Sequence, residues 1–210
     1  MRSDRTPRAV RDDGGVSTEP VSPEPTSAPS GRGRIRLLSA VTVAVLAVDL
    51  LTKVAAVAVI DPRRPVRIPG GFLELRLLRN PGAAFSLATG MTWLLTLVAV
   101  AVVVVIVRMA RRLRSPGWAT GLGLVLGGAL GNLVDRVFRS PGPLQGQVID
   151  FVALVHDGRS IWPVFNLADP SIVTGGTLLV LMAFLGREPD GTHTARSREH
   201  KPGQQADASA

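Results

Sequence analysis

Four long apolar segments constrain this chain more than any other feature of its sequence. They cover residues of about 37–60, 86–107, 117–135 and 169–186, with polar stretches between and around them. A helix needs about 20 mostly apolar residues to cross the roughly 30 Å hydrocarbon core of a bilayer. We therefore predict an all-α membrane protein with four transmembrane helices within residues 35–186.

The basic residues near the segment ends predict an orientation. They precede the first segment, fill the link between the second and third, and follow the fourth: Arg32, Arg34 and Arg36; Arg108, Arg111, Arg112 and Arg114; Arg187, Arg196, Arg198 and Lys201. Such residues favour cytoplasmic loops. Both termini are therefore predicted to be cytoplasmic, although the connection 61–85 also carries several arginines.

The remaining stretches have distinct compositions. The polar tails, residues 1–34 and 187–210, have little apolar surface to bury, and we predict that they are disordered. In the outer connection 61–85, the alternating run 72–77 predicts a short amphipathic strand or hairpin. The other outer connection, 136–168, mixes Gly, Pro and short apolar runs, which favours an irregular loop with a short helix on the membrane surface.

Composition excludes several function classes. The net charge is +8, but aromatic residues make up only 4% and Tyr is absent, so the interleaved basic and aromatic surface of a nucleic-acid binder is not expected. Because the chain has no Cys, it forms no disulfide and no thiolate site. Its three His residues are scattered, so no metal site is predicted.

Two acidic residues stand at the outer ends of apolar segments. Asp135 ends the third segment and Asp169 begins the fourth, each in a motif that contains asparagine. Since these segments run outward and then inward, both carboxylates fall at the same membrane boundary. A carboxylate inside a membrane costs roughly 2.5–3.5 kcal/mol, so a pair indicates function. The alternative is two unrelated acids that cap helix ends.

If the two acids meet, they supply the acid and the base that hydrolysis by water requires. Asp169 followed by Pro170 favours a helix that starts with Asp169 as N-cap. The helix dipole stabilises an anion there and opposes one at the C-terminal position of Asp135. We therefore predict that Asp169 is ionised and that Asp135 holds the proton.

Other spacings predict local contacts. Asp49 and Lys53 lie four residues apart in the first segment and are expected to form an ion pair. Glycines recur every fourth residue from Gly123 to Gly131, which favours close helix packing. The turn around Asn80 and Gly82 offers hydrogen bonds to an extended peptide.

Five motifs, taken in order, resemble those of the lipoprotein signal peptidases, or signal peptidases II. They are Val48–Lys53, Asn80–Ser86, Gly127–Arg136, Val148–Phe151 and Phe165–Asp169. The resemblance covers about residues 35–186. It implies an aspartic protease of the bacterial inner membrane with four transmembrane helices, a small extracytoplasmic β-rich cradle and a second extracytoplasmic loop.

The resemblance also implies a reaction and a set of site residues. Such enzymes remove signal peptides from prolipoproteins just before a cysteine that carries diacylglycerol, at the extracytoplasmic face and without a metal or cofactor. We expect a monomer in contact with membrane lipid. The expected roles are catalysis by Asp135 and Asp169, substrate binding by Asn80, Gly82, Asn132, Arg136 and Asn166, and support by Asp49, Lys53 and Asp150.

Two other classes use acidic residues in membranes. A small transporter or channel subunit would carry them near the bilayer midplane as ion or proton sites. A lipid-head-group transferase would use them to hold a metal, which requires more convergent acids or histidines than this chain supplies.

Overall fold

The computed structural model describes residues 31–82 and 92–193. Within these ranges the chain forms four helices and one four-stranded antiparallel sheet. The helices are α1 (Gly31–Val59), α2 (Thr92–Ala110), α3 (Pro116–Phe138) and α4 (Ala168–Phe184). The strands are β1 (Val66–Arg67), β2 (Leu73–Asn80), β3 (Val148–His156) and β4 (Arg159–Ser160). The predicted disorder of residues 1–30 and 194–210 lies outside the described residues, as does the predicted helix start near residue 86.

Each predicted apolar segment corresponds to one of these helices. By length and composition, α1, α2 and α3 can each cross a membrane. Helix α4 is apolar and has 17 residues, which makes it about 26 Å long. Large apolar side chains on the helices point outward: Leu51, Leu97 and Val173 are 69%, 50% and 67% exposed. Such extensive exposed apolar surface suits contact with lipid.

Helix α3 lies between α1 and α4 and touches both through glycines. A β-carbon on Gly127 would lie 2.7 Å from Val45 Cβ and 2.9 Å from the Thr42 carbonyl oxygen of α1. On the other side, a β-carbon on Gly128 would lie 2.6 Å from the Ala168 carbonyl oxygen of α4. The predicted close packing at the glycine repeat is therefore confirmed.

Replacing Gly127 with alanine should destabilise the helix bundle. The new methyl group overlaps the α1 backbone, and overpacking costs about 1–3 kcal/mol, against a gain of up to about 1 kcal/mol in helix propensity. The matched control is Gly176→Ala on α4, where a β-carbon meets nothing within 4 Å. Thermal unfolding in detergent should show a lower midpoint for Gly127→Ala alone. Equal midpoints for the two variants would contradict this packing.

The sheet lies beside the end of the bundle that holds the C-terminal ends of α1 and α3. Strand β2 confirms the strand predicted at 72–77, and it pairs antiparallel with β3, so that Asn80 lies opposite Val148. The apolar residues Ile149 and Phe151 of β3 pack with Ala56 and Ile60 near the end of α1. This pairing brings Asn80 next to the strand that carries Asp150.

The prediction of an irregular loop with a surface helix at 136–168 is wrong, because β3 occupies residues 148–156. This strand is nearly all buried, so its apolar residues do not alternate with polar ones. Its hydrogen-bonding partner, β2, lies about 70 residues earlier in the chain. Alternation of apolar and polar residues therefore gave no signal for this strand.

Parts of both predicted tails are ordered. Helix α1 already begins at Gly31. Residues 187–193, predicted to be disordered, form a turn closed by a bridge between Arg187 and His193. The turn is fixed because the Pro189 carbonyl accepts hydrogen bonds from the backbone N–H groups of Arg114 and Ser115, at 2.8 and 3.1 Å.

Candidate active site

The polar residues singled out in the sequence converge where the ends of α1 and α3, strand β3 and the start of α4 meet. Lys53 comes from α1, Asn132 and Asp135 come from the last two turns of α3, Asp150 comes from β3, and Asp169 comes from the first turn of α4. Hydrogen bonds and ion pairs among these residues and their neighbours form one network. The elements around it are apolar, which keeps the network largely out of water.

Lys53 is the cation at one side of this network. Its Nζ lies 2.8 Å from Asp49 Oδ2 and 3.0 Å from Asp135 Oδ2. It also donates a hydrogen bond of 3.0 Å to Asn132 Oδ1. The ion pair predicted between Asp49 and Lys53 is therefore confirmed, and both side chains are fully buried. The contact with Asp49 Oδ2 is an ion pair without hydrogen-bond geometry, because this buried oxygen has no hydrogen-bond partner among the described residues.

Asp135 is enclosed by positive and hydrogen-bonding groups. Besides Lys53, its carboxylate contacts Arg139 Nε and accepts a hydrogen bond of 3.2 Å from the Ile149 backbone N–H. Only 1% of the side chain is exposed. Two basic side chains and one backbone donor thus surround this carboxyl group, and its predicted protonated state stays a prediction.

Asp169 has a more neutral environment. Its Oδ1 accepts a hydrogen bond of 3.1 Å from Asn132 Nδ2, and its Oδ2 accepts one of 3.0 Å from the Asn166 backbone N–H. The prediction that Asp169 is the N-cap is wrong, because α4 already begins at Ala168. The Ala168 N–H donates to Asp49 Oδ1 and Asn166 Oδ1. These acceptors satisfy the helix start and leave Asp169 within the first turn.

Asp150 faces Asp169 across the side chain of Asn166. Asn166 Nδ2 donates to Asp150 Oδ1 at 2.7 Å, while the Asn166 backbone N–H donates to Asp169. Asn80 Nδ2 donates to the other oxygen of Asp150 at 2.8 Å. The pKa of Asp150 is raised to about 6, mainly by burial and to a smaller extent by the negative charge of Asp169, while the hydrogen bonds from Asn80 and Asn166 and the charge of Lys53 oppose the shift.

The geometry therefore favours Asp150, rather than Asp135, as the partner of Asp169. Asp150 and Asp169 are linked through one asparagine and sense each other's charge. Asp135 instead contacts two basic side chains. A sequence signal for Asp150 did exist: its carboxylate lies within an apolar run that reads as buried, and burial of an acid is costly unless it serves a purpose.

The remaining predicted site residues border this pair. Asn80 Oδ1 accepts a hydrogen bond of 2.8 Å from the Gly82 N–H, and Gly82 has a φ of +115°, which favours glycine. Arg136 lies close enough to Asp135, Asp150 and Asp169 to interact with their charges. Its Nη1 is buried and has no hydrogen-bond partner among the described residues. Residues 83–86 of the same motif lie outside the described residues.

The titration of Asp150 tests this arrangement. Carbon-13 NMR of protein with labelled aspartate, in detergent, should show Asp150 titrating near pH 6. Asp169→Asn removes a negative charge and should move that titration to lower pH, whereas Asn80→Ala removes a hydrogen bond to the anion and should move it to higher pH. A wild-type value near the ordinary one of about 4 would contradict the assignment.

Comparison with known proteins gives a consistent family. The family model for signal peptidase (SPase) II matches residues 41–185. A lipoprotein signal peptidase of Rhodococcus jostii (strain RHA1) is 56% identical over 196 residues, covering 86% of this chain and 96% of the relative. The lipoprotein signal peptidase of Mycobacterium tuberculosis (strain ATCC 25618 / H37Rv) is 50% identical over 184 residues, covering 88% and 86%.

Two solved structures of bacterial membrane enzymes share the fold. One superposes with a TM-score of 0.61 at 22% identity and covers 83% of this chain and 95% of its own. The other has a TM-score of 0.60 at 26% identity, with coverage of 74% and 95%. The helices and small antiparallel sheet are thus those of a membrane enzyme, and the match over residues 41–185 shows that the chain belongs to the signal peptidase II family.

Proposed function

We propose that this chain is an aspartic endopeptidase that removes signal peptides from diacylglyceryl-modified prolipoproteins, cleaving before the lipidated cysteine. Its family membership supports the prolipoprotein substrate. The observation that carries the proposed chemistry is the pair formed by the buried Asp150 and the half-buried Asp169, which are linked by Asn166. Two carboxyl groups in different environments supply an acid and a base without a metal.

The environments of the pair suggest how the roles divide. Asp150 has the raised pKa and serves as the acid that donates a proton to the scissile carbonyl oxygen. Asp169, at the start of α4, is favoured as an anion by the helix dipole and takes a proton from the attacking water. The resulting tetrahedral intermediate collapses when Asp169 returns that proton to the leaving amine, while Asp150 recovers its own from the hydroxyl group.

The alternative pair, predicted from the sequence, is Asp135 with Asp169. In that mechanism Asp135 would have to exchange protons while it remains paired with Lys53 and Arg139. We therefore assign Asp135 a positioning role: it fixes Lys53, which in turn holds the carbonyl oxygen of the Asn132 side chain. The other end of that amide donates to Asp169.

Three residues are proposed to bind the peptide. Arg136 offers a buried N–H group that a substrate carbonyl can accept. Asn80 and Gly82 form the turn that follows β2, beside Asp150. An extended signal peptide passing this turn would place its scissile bond against the acidic pair.

We further propose that all four helices cross the bacterial inner membrane and that the enzyme acts as a monomer. The basic ends of α1, α2 and α3 would then face the cytoplasm together with both termini. The acidic pair lies at the other end of the bundle, beside the last turn of α3 and the first turn of α4, and so faces the extracytoplasmic side. A lipidated cysteine held in the outer leaflet reaches this position without leaving the membrane.

A gel-shift cleavage assay tests the proposed activity. Purified protein should cleave a prolipoprotein whose cysteine carries diacylglycerol and leave the unlipidated precursor intact. A chelator should have no effect, since water is activated by carboxyl groups. Equal cleavage of both precursors would contradict the proposed specificity, and loss of cleavage on chelation would favour a metal-dependent enzyme.

A further inference from the structure

A basic cavity lies at the end of the bundle opposite the acidic pair. It measures about 850 Å³ and opens between the start of α1, the link from α2 to α3, and the turn that follows α4. Its charged and polar lining residues are Arg32, Arg111, Arg112, Arg114, Asp190 and Thr192. Four guanidinium groups around one cavity repel each other, and an anion bound among them would offset that repulsion.

The walls of this cavity are ordered by specific hydrogen bonds. Arg34 Nε donates to the Arg114 carbonyl oxygen at 3.0 Å, which ties α1 to the link. The Pro189 carbonyl ties the same link to the turn after α4. Leu113, between the arginines, is 2% exposed and anchors the link in the apolar core. The arginines are therefore carried by a fixed backbone.

The negative charge within the cavity does not satisfy these arginines. Within residues 31–82 and 92–193, no carboxylate lies within ion-pair distance of any of the four. The one acidic lining residue, Asp190, accepts hydrogen bonds at its Oδ1 from the Thr192 N–H and hydroxyl, at 2.9 and 2.6 Å. The same carboxylate also interacts with the charge of Arg114. One acid thus faces four arginines, and the cavity keeps an excess of positive charge.

The position of the cavity indicates where its ligand comes from. Ile35 in its wall is 43% exposed, and at the same end of the bundle Phe184 and Leu185 are 86% and 54% exposed. Apolar surface suited to acyl chains therefore adjoins the arginines. Basic pockets at the cytoplasmic ends of membrane helices suit anionic lipid head groups, and the planar guanidinium group binds phosphate through two hydrogen bonds.

We propose that this cavity binds the phosphate head group of an anionic phospholipid. Arg111 and Arg112 contact the phosphate from the link, and Arg32 closes over it from α1. The acyl chains lie along the exposed apolar side chains of the adjacent helices. This inference rests on the chain being a membrane protein and does not depend on the proposed cleavage reaction.

Lipid titration of the full-length protein tests the proposal. In a neutral detergent, added phosphatidylglycerol should raise the thermal unfolding midpoint with a saturating dependence, because a ligand stabilises the state that binds it. Phosphatidylcholine should have no such effect. Inorganic phosphate at matched ionic strength separates a lipid site from a simple anion site: we expect no stabilisation by phosphate at the concentrations where phosphatidylglycerol saturates.

Paired variants locate the site. Arg111→Gln with Arg112→Gln should lower the apparent affinity for phosphatidylglycerol at least tenfold. Both side chains are exposed, and neither makes a hydrogen bond that holds the link together. The control, Arg63→Gln with Arg64→Gln, removes the same charge from exposed residues after the other end of α1 and should leave the affinity unchanged.

Three results would overturn the proposal. They are an equal loss of affinity in both double variants, stabilisation by phosphate that equals stabilisation by the lipid, and a wild-type protein that does not respond to the lipid. Cleavage activity serves as a separate readout of folding. Phe184, at the cavity's end of α4, lies about 22 Å along the helix from Asp169. The link variants lie at that same end of the bundle, so they should keep the wild-type rate in excess lipid.

Discussion

Asp150→Asn and Asp169→Asn should each abolish cleavage of a lipidated prolipoprotein while the protein stays folded. Each removes one half of the acid–base pair, and such groups contribute roughly 10²–10⁴-fold to a rate. Folding should persist because asparagine keeps the shape of the side chain, and because Asp150→Asn relieves the burial of an ionisable group. The measurements are initial cleavage rates and thermal unfolding midpoints for the same preparations.

Asp135→Asn is the informative control for that experiment. It removes the charge that neutralises Lys53 and Arg139, so we expect a large loss of stability. Protein that remains folded at low temperature should retain measurable cleavage, since Asp135 touches the reacting groups only through Lys53 and Asn132. A stable but inactive Asp135→Asn variant, together with an active Asp150→Asn variant, would reassign the pair to Asp135 and Asp169.

Lys53→Met should destabilise the protein more than any other single substitution in the buried polar network. It leaves Asp49 and Asp135 buried without their shared cation. Breaking a buried ion pair by removing one partner typically costs about 3–5 kcal/mol. We expect poor yield of folded protein and a strongly lowered unfolding midpoint in detergent, followed through tryptophan fluorescence.

Two further variants separate charge from packing. The double variant Lys53→Met with Asp49→Asn removes one of the stranded carboxylates and should recover part of the lost stability. Arg67→Met breaks an ion pair of 3.6 Å in which Arg67 is 71% exposed, and such pairs contribute about 0–1 kcal/mol. If Lys53→Met cost no more than Arg67→Met, the buried network would not be a source of stability.

Local spacing predicted those features that depend on one helix. The four-residue interval from Asp49 to Lys53 predicted an ion pair, and the glycine repeat in α3 predicted close contact with another helix. Both depend only on helical periodicity, which a sequence displays directly. What the interval could not predict is the addition of Asp135 to that ion pair, since Asp135 comes from a different helix.

The partner of Asp169 depends on a contact that no local pattern encodes. Asp150 enters the site because β3 pairs with β2 and because the Phe165 backbone bridges to β3 at Val152, directly before Asn166. The prediction of a loop over residues 136–168 did not use the apolar run around Asp150, which is the one local sign that this acid is buried. The sequence did predict that α3 runs outward and α4 runs inward. That arrangement brings Asp135 close to the site but does not make it the neighbour of Asp169.

The length of α4 implies that the enzyme responds to membrane thickness. If α4 spans the bilayer as proposed, its 17 residues fall several ångströms short of a hydrocarbon core of roughly 30 Å. Lipids around a short helix compress to match it, at a cost of fractions of a kcal/mol per ångström. The bilayer would then be thinner around α4, and its outer head groups would lie closer to Asp169. Vesicles with longer acyl chains should hold the scissile bond too far from the acidic pair and slow turnover.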